Sequence, residues 1–344
     1  MKNFWLFSLS VLLLCGCGHT PARQDYPAAM PPNCVKPAVA QQRADDFKKI
    51  ISGVKTRGVV IFPQAFFGRF EDEKVLDCVE RLGFNRIYCH LTSEKELDER
   101  LMQFLAAAGK RNIPVEALLS QQDFYRKYRA NRLIRNLFVQ YPDLPQVTAE
   151  VLKFNQELPG NGRFAAMTIR LTPELFDGSN VRRLQGKLYC WGENRYGIGG
   201  DNDMLVKESI ELLEQISGQP GMLPLTVAVP DFLNEAAENG KLAKGKVTDF
   251  AGFGKVAVVS SANLPSKIPV SVQDELKNAG NSRVLAVIPL AGHTAVDSGQ
   301  LRRRNWMDFQ RSINHLIRKS SMYPAFDGII VSPLAVIEYM RMEE

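Results

Sequence analysis

The sequence has few of the residues that usually form metal, redox or phosphate sites. Its 344 residues include only four histidines, no two of them at metal-ligand spacing, and no Cys-x-x-Cys pair. It also lacks a glycine-rich phosphate-binding loop and the interleaved aromatic and basic residues of RNA-binding domains. Beyond the N-terminal region, no apolar run approaches the roughly 20 residues that a membrane-spanning helix needs. We therefore expect no metal, no cofactor, no nucleic-acid partner and no spanning helix.

The bulk composition is that of an ordinary folded protein. Hydrophobic residues make up 45% of the chain, charged residues 23%, and the net charge is +6. Such a mild basic excess does not select a partner. Four cysteines lie beyond the N-terminal region with three possible pairings, and their wide spacing indicates no disulfide framework: Cys34, Cys78, Cys89 and Cys190. The helix and strand patterns around Cys78 and Cys89 favour free, buried thiols.

Residues 1–16 are typical of an export signal. The apolar stretch at 4–14 is too short for a permanent membrane helix. The run Leu14-Cys15-Gly16-Cys17 that ends this region resembles the lipobox of bacterial lipoproteins. The resemblance implies cleavage before Cys17 and a diacylglyceryl thioether on its sulfur. An ordinary cleaved signal with incidental cysteines is the alternative interpretation.

The segment after the signal predicts a tether between lipid and domain. Residues 17–44 are rich in proline and in small or polar side chains, which cannot bury a core. We assign residues 45–344 to one folded domain. The membrane is then a partner through the N-terminal lipid, and the protein is exported and anchored in the cell envelope. Gly18, where an inner-membrane retention signal would have aspartate, resembles outer-membrane sorting in a cell with two membranes.

The domain alternates between short apolar strands and helical patterns. Eight strands are predicted, with helices in the intervals between them, at 58–63, 84–91, 113–119, 164–171, 223–229, 256–260, 284–288 and 328–331. This count and order are typical of a single α/β domain of the (β/α)8 TIM-barrel type. A doubly wound open sheet would usually carry a glycine-rich turn after its first strand, and residues 63–68 are not one.

Several strand segments resemble a family of exported bacterial glycosidase-like barrels. The similar passages are 154–159, 163–164 and 169–174 around the fourth strand, with 115–119 and 227–230 on the strands beside it. The resemblance implies a barrel whose chemistry lies at the carboxyl ends of the strands. It also implies two carboxyl groups flanking the bond to be cut, because glycoside hydrolysis needs an acid and a base or nucleophile.

The chain departs from this family where the acids are expected. Arg170 stands at the position of the family's aspartate and Thr172 at that of its glutamate. Leu119, Pro289 and Ser332 replace expected polar or acidic residues on three other strands. Guanidinium does not deprotonate in proteins and threonine carries no charge, so this pair cannot act as acid and base.

The candidate site lies at the strand ends and in the long excursion after the fourth strand. Aromatic faces there can dock sugar rings, and polar neighbours can take their hydroxyls. The predicted ligand-binding residues are Arg170, Tyr189, Trp191, Glu193, Asp231 and His293. The aromatic residues can equally fold back to cover the barrel. Glu116, within the third strand, is expected to pair with a basic residue such as Arg170.

The sequence therefore favours a glycosidase-like barrel that binds an extracytoplasmic glycan, polysaccharide or peptidoglycan, without cleaving it. An active glycoside hydrolase remains open, with Asp231 and either Glu174 or Glu193 as displaced carboxylates. A structural or assembly lipoprotein that docks another protein is the third interpretation.

Overall fold

The eight predicted strands form a closed parallel barrel, which confirms the (β/α)8 fold. A computed structural model describes the chain at residues 37–67, 70–121, 123–127, 140–142, 144–172, 181–184, 187–190, 202–240, 242–260, 268–288, 306–332, 336 and 339–340. The barrel strands are β1 (Thr56–Ile61), β2 (Arg86–Leu91), β3 (Val115–Ser120), β6 (Phe164–Arg170), β9 (Leu225–Pro230), β10 (Lys255–Val259), β11 (Val284–Ile288) and β12 (Phe326–Val331). They are hydrogen-bonded in this order, and β12 closes the ring on β1.

Two short hairpins interrupt the alternation. The first pairs β4 (Tyr125–Lys127) with β5 (Gln140–Pro142), and the second pairs β7 (Val181–Leu184) with β8 (Lys187–Cys190), both antiparallel. They occur after β3 and after β6, at the carboxyl ends of neighbouring barrel strands. Connections at these ends form the functional face of TIM barrels.

Helices occupy the intervals between the strands. Their bounds are α1 (Pro37–Ile51), α2 (Pro63–Phe66), α3 (Asp72–Arg81), α4 (Glu99–Lys110), α5 (Leu144–Glu157), α6 (Asn202–Ser217), α7 (Leu233–Glu238), α8 (Val247–Phe250), α9 (Ile268–Ser271), α10 (Gln273–Lys277) and α11 (Trp306–Ser320). Within the described ranges, no helix is both long and apolar enough to cross a bilayer.

The N-terminal helix begins earlier than the sequence pattern indicated. We expected a tether to residue 44, but α1 begins at Pro37, and Ala40 and Ala44 are buried. Proline is favoured in the first helical turn, and the buried positions recur at helical spacing through Phe47 and Ile51. Residues 37–44 therefore belong to the folded domain.

The helix α1 is fixed against the last helix by aromatic packing. The ring of Phe47 lies 5.5 Å from that of Trp306 and 5.4 Å from that of Phe309, both in α11. The side-chain amide of Gln310 donates a 2.8 Å hydrogen bond to the Arg43 carbonyl. These contacts join the two ends of the domain on the outside of the barrel.

The strands have two buried faces, as parallel strands in a barrel require. Most of the apolar core lies between the strands and the helices. A second, smaller cluster contains side chains from seven strands and fills the barrel interior: Val60, Tyr88, Leu118, Ala228, Ala257, Val259, Leu285, Val287 and Ile330. This cluster identifies which residues of each strand point inward, because side chains alternate along a strand.

Two glycines allow close packing at the β1 strand. A Cβ at Gly58 would lie 2.3 Å from the Tyr88 ring, so the inward ring needs a glycine beside it. At Gly328, φ is +152° and a Cβ would lie 1.9 Å from the Thr56 carbonyl oxygen. Here the β11–β12 register shifts by one residue, which leaves Asp327 without a register partner on β11.

At the end of the barrel where the strands begin, the buried acid Asp327 is bound by basic residues. The Oδ2 atom of Asp327 accepts hydrogen bonds from Lys255 Nζ at 3.1 Å and Thr56 Oγ1 at 3.2 Å, and Lys55 Nζ lies 3.5 Å from Oδ1. Burial alone would raise the pKa of Asp327. The hydrogen bond and charge of Lys255, with smaller effects from Lys55 and Thr56, lower the pKa overall below its usual value.

Cys78 and Cys89 are buried thiols that form no disulfide within the described part of the chain, as predicted. Burial, with a smaller contribution from the charge of Glu96, raises the pKa of the Cys89 thiol far above its usual value. A protonated thiol is a poor nucleophile, so Cys89 acts as a small core residue.

Candidate functional site

The candidate site is the carboxyl end of the barrel, which we call the mouth. It consists of the last residues of the barrel strands and the first residues that follow them. Parallel strands bring these positions to one end of the molecule, so residues far apart in sequence lie together there. The described part of the mouth is best defined on the adjacent strands β2, β3, β6 and β9.

The end of β2 presents a histidine bound to a carboxylate. The Nε2 atom of His90 lies 2.8 Å from Asp123 Oδ2, and only 3% of His90 is exposed. The Phe62 ring, directly after β1, lies 4.7 Å from the imidazole. Asp123 therefore orients the ring, and Phe62 limits its access to water. The aspartate is engaged by this contact.

The ends of β3 and β6 are joined beyond the regular ladder. The Gln121 N–H donates a 2.8 Å hydrogen bond to the Arg170 carbonyl, and the Thr172 N–H donates one of 2.8 Å to Gln121 Oε1. Ser120 is in register with Arg170. The backbone of this part of the mouth is thus held in place by two hydrogen bonds, and rigid support of this kind is typical of binding sites.

Two hydroxyls beside Arg170 are buried and find no partner among the residues that the structure describes. Ser120 is 0% exposed and Thr172 is 1% exposed. In the part of the chain that the structure describes, neither Ser120 Oγ nor Thr172 Oγ1 has a hydrogen-bond partner. Most buried polar atoms in native proteins do have one, so these two require an explanation.

The end of β9 contributes a buried acid and amide. Asp231 follows the strand, is 0% exposed, and donates its backbone N–H to the Val259 carbonyl at 3.1 Å. Asn234, in the first turn of α7, is 1% exposed, and among the described residues its amide has no hydrogen-bond partner. Asp231 and Arg170 lie at the ends of neighbouring strands, since Arg170 is in register with Ala228.

The prediction that Glu116 pairs with a basic residue is confirmed, but that residue is Arg86 and not the suggested Arg170. Glu116 binds Arg86 of β2, and its Oε2 accepts a 2.7 Å hydrogen bond from Thr168 Oγ1. Glu116 is in register with Ala166, four residues before Arg170. At about 3.3 Å per residue, that separation is roughly 13 Å along the strand, which is too far for an arginine side chain. The ion pair lies deep in the barrel, below the mouth.

The structure brings together part of the predicted site. Arg170 and Asp231 both lie at the mouth, on adjacent strands. The backbone of Tyr189 lies in β8, opposite Arg182, and the structure does not describe its side chain. Trp191, Glu193 and His293 lie outside the described residues, as do Glu174 and Pro289.

Sequence patterns did not single out the other mouth residues as a group. His90 and Asp123 are 33 positions apart, and their contact depends on the adjacency of β2 and β3. Thr172 was singled out only as the residue at the position of an expected glutamate, and Ser120 not at all. The structure adds that both are buried with no hydroxyl partner among the described residues. A polar residue directly after a buried strand was the one available signal. Across the described ranges, no group of three or more His, Cys, Asp or Glu side chains could hold a metal ion.

No protein-family model and no curated protein matches this chain. Among solved structures, it is similar to a family 10 endoxylanase from a sugarcane soil metagenome, at 10% identity and a TM-score of 0.44 over 83% of this chain and 87% of the other. It is also similar to the D-psicose 3-epimerase of Clostridium cellulolyticum H10, at 9% identity and a TM-score of 0.44, covering 82% and 93%. A third similar structure is an intracellular xylanase from Thermoanaerobacterium saccharolyticum, at 10% identity and a TM-score of 0.42 over 83% of this chain and 88% of the other.

Proposed function

We propose that this protein binds a glycan outside the cytoplasm, at the mouth of its barrel, without cleaving it. The observation that carries the proposal is the end of β6, where Arg170 and Thr172 occupy the last inward positions. A glycosidase-like barrel would present its carboxyl groups there. A guanidinium and a hydroxyl can hold sugar hydroxyls, but they cannot supply the acid and base of hydrolysis.

The acids of the described mouth support binding better than cleavage. Asp123 is engaged by His90 at 2.8 Å, and Asp231 is fully buried. A glycosidase needs two carboxyl groups on opposite sides of one bond, about 5 to 10 Å apart. Asp231 with Glu174 or Glu193 is the pair that would serve an active enzyme, so Asp231 is the residue to test.

The aromatic residues after β6 supply a surface for sugar rings in this proposal. Tyr189 lies in β8 of the hairpin that follows β6, and Trp191 comes directly after that strand in the sequence, while Glu193 and His293 add polar groups. Stacked aromatic faces favour sugars through their C–H surfaces and cost little conformational entropy.

The lipid on Cys17 would restrict this binding to the cell envelope. The segment 17–36 then links the membrane to α1, which begins at Pro37. Metabolic labelling with an alkyne fatty acid should mark the wild-type protein and leave Cys17→Ser unlabelled, with Cys15→Ser as the matched control. Labelling of Cys17→Ser would contradict the anchor, and fractionation of the labelled protein would assign the membrane.

Calorimetry against a panel of cello-, xylo-, chito- and galacturono-oligosaccharides, with reducing-end release measured in parallel, tests the proposed function. We expect binding without release. Trp191→Ala should weaken binding about tenfold or more, whereas Trp191→Phe, which keeps a ring, should lose less. Release of reducing ends that Asp231→Asn abolishes would instead establish a hydrolase. No binding, together with a protein partner recovered by crosslinking, would establish a docking lipoprotein.

A further inference from the structure

We propose that the hydroxyls of Ser120 and Thr172 form a binding site for the hydroxyls of an uncharged sugar at the mouth. This inference rests on the proposed function and names the chemical class of its ligand. Ser120 ends β3, Thr172 lies two residues beyond the end of the adjacent strand β6, and both residues are buried. Neither belongs to the ligand-binding set that the sequence predicted.

The positions of both residues place them on the inward face. Leu118 belongs to the apolar cluster inside the barrel, and Ser120 is two residues further along the same strand. Thr168 points inward because it donates a hydrogen bond to Glu116, and Thr172 lies four residues beyond it. Alternation along extended chain therefore turns both hydroxyls toward the barrel axis, at the level where the mouth begins.

The described residues leave the hydrogen-bonding capacity of both hydroxyls unused. Within the described residues no hydrogen-bond partner reaches Ser120 Oγ or Thr172 Oγ1. Each hydroxyl can donate one hydrogen bond and accept others, which is the same capacity that a sugar hydroxyl has. Ordered water can satisfy them in the free protein, and a sugar hydroxyl that displaces this water reproduces its hydrogen bonds.

The charges around the two hydroxyls favour an uncharged ligand. Ser120 is in register with Arg170, and at the ends of the neighbouring strands lie Asp123 and Asp231. The charged groups among these residues are one guanidinium and two carboxylates. An anionic ligand would meet a repulsive carboxylate on either side, whereas a neutral polyol can donate to the carboxylates and accept from the guanidinium.

The experiment compares binding and stability in variants that remove each hydroxyl but keep the shape. The variants are Ser120→Ala, Thr172→Val and the double variant, with Ser320→Ala as the matched control. Ser320 is also a buried serine whose hydroxyl has no partner among the described residues, but it ends α11, at the opposite end of the barrel. The probes are the neutral cello-, xylo- and chito-oligosaccharides and the acidic oligogalacturonides.

We expect the double variant to bind the neutral oligosaccharide at least about tenfold more weakly, a loss of about 1.4 kcal/mol. Its midpoint of thermal unfolding should equal or exceed that of the wild type, because the two hydroxyls make no hydrogen bond to the described residues. The control should bind as the wild type does.

The outcomes separate this inference from the function on which it rests. Unchanged binding by the double variant overturns the inference alone. A lower unfolding midpoint in Ser120→Ala, Thr172→Val and the double variant also overturns it, because it would indicate that the hydroxyls have a structural role. If the wild type prefers the acidic oligogalacturonides, the assignment of an uncharged sugar as the ligand is wrong. If the wild type binds none of the probes, the proposed function itself fails.

Discussion

At the scale of single residues, the barrel interior contains more polar side chains than the apolar sequences of its strands would indicate. Arg86, Glu116 and Thr168 satisfy one another, but Tyr88 does not share in their hydrogen bonds. Its hydroxyl is buried, and among the described residues it has no partner. Burial, followed by the charges of Glu116 and Asp327, raises the pKa of Tyr88 well above its usual value despite the opposing effect of Arg86. The phenol therefore stays neutral.

This geometry predicts that Tyr88→Phe leaves the free energy of unfolding unchanged or raises it by up to about 1 kcal/mol. An unsatisfied buried hydroxyl costs about 1–3 kcal/mol, and its removal leaves the ring packing intact. Tyr88→Ala, which removes the ring, should lose about 3–5 kcal/mol. Urea unfolding measures both. A loss above 1 kcal/mol in Tyr88→Phe would mean that the hydroxyl has a bound water as its partner.

At the scale of elements, boundaries followed local patterns closely where a buried strand decided them. Every predicted strand end lies within two residues of the observed one. Ser93 and Glu96 form a capping box that begins a short 3-10 helix before α4. The helical stretch between β10 and β11 is divided into two short helices, α9 and α10. Strand cores are set by local apolar runs, whereas helix ends depend on what the helix packs against.

One element depends on a single glycine. In β12, Gly328 occupies a φ of +152° against the Thr56 carbonyl, at the register shift that closes the barrel. Gly328→Ala should lower the free energy of unfolding by about 2–4 kcal/mol, because the added Cβ would force β12 away from β1. The measurement is thermal or urea unfolding.

Gly252→Ala is the control for this substitution. An added Cβ there meets no atom within 4 Å, and the residue lies outside the barrel strands. We expect a change within about 0.5 kcal/mol. Equal effects of the two substitutions would show that β12 can relax and that the close approach at Gly328 is not required.

At the scale of the whole molecule, the barrel closes around the buried carboxylate of Asp327. Its three partners come from two places in the chain: Lys55 and Thr56 at the start of β1, and Lys255 on β10. Both lysines keep part of their surface in water, so the acid is the group that most needs its partners. The pKa of Asp327 is lower in the folded state than in the unfolded chain.

Because the pKa is lowered on folding, Asp327 stabilises the fold above its unfolded pKa, near 3.9, and this contribution is lost as the pH falls through the folded pKa. Asp327→Asn should therefore be less stable than the wild type at pH 7, by about 1–3 kcal/mol. The difference should shrink as the pH falls below about 4. Urea unfolding between pH 7 and 2.5 checks this, and a difference independent of pH would exclude the linkage.

The candidate site was predictable only in part. Arg170 and Asp231 could be placed at the mouth from sequence, since each lies at or directly after a buried strand. The pairing of Glu116 with Arg86 could not be predicted from sequence, because it depends on the register between two strands whose paired residues are 30 positions apart. The pairing of His90 with Asp123 depends on the same adjacency of β2 and β3.

The sequence by itself determined the alternation of strands and helices, the count of eight, and the placement of Arg170 and Thr172 at a strand end. These features are local, because burial on both faces produces continuous apolar runs in a parallel strand. The tertiary structure alone decided the closure at Gly328, the packing of α1 on α11, and the burial of the Ser120 and Thr172 hydroxyls away from every described partner. Closure, register and burial depend on which strands become neighbours, and a linear pattern of residues does not encode distances between segments that meet only in the folded barrel.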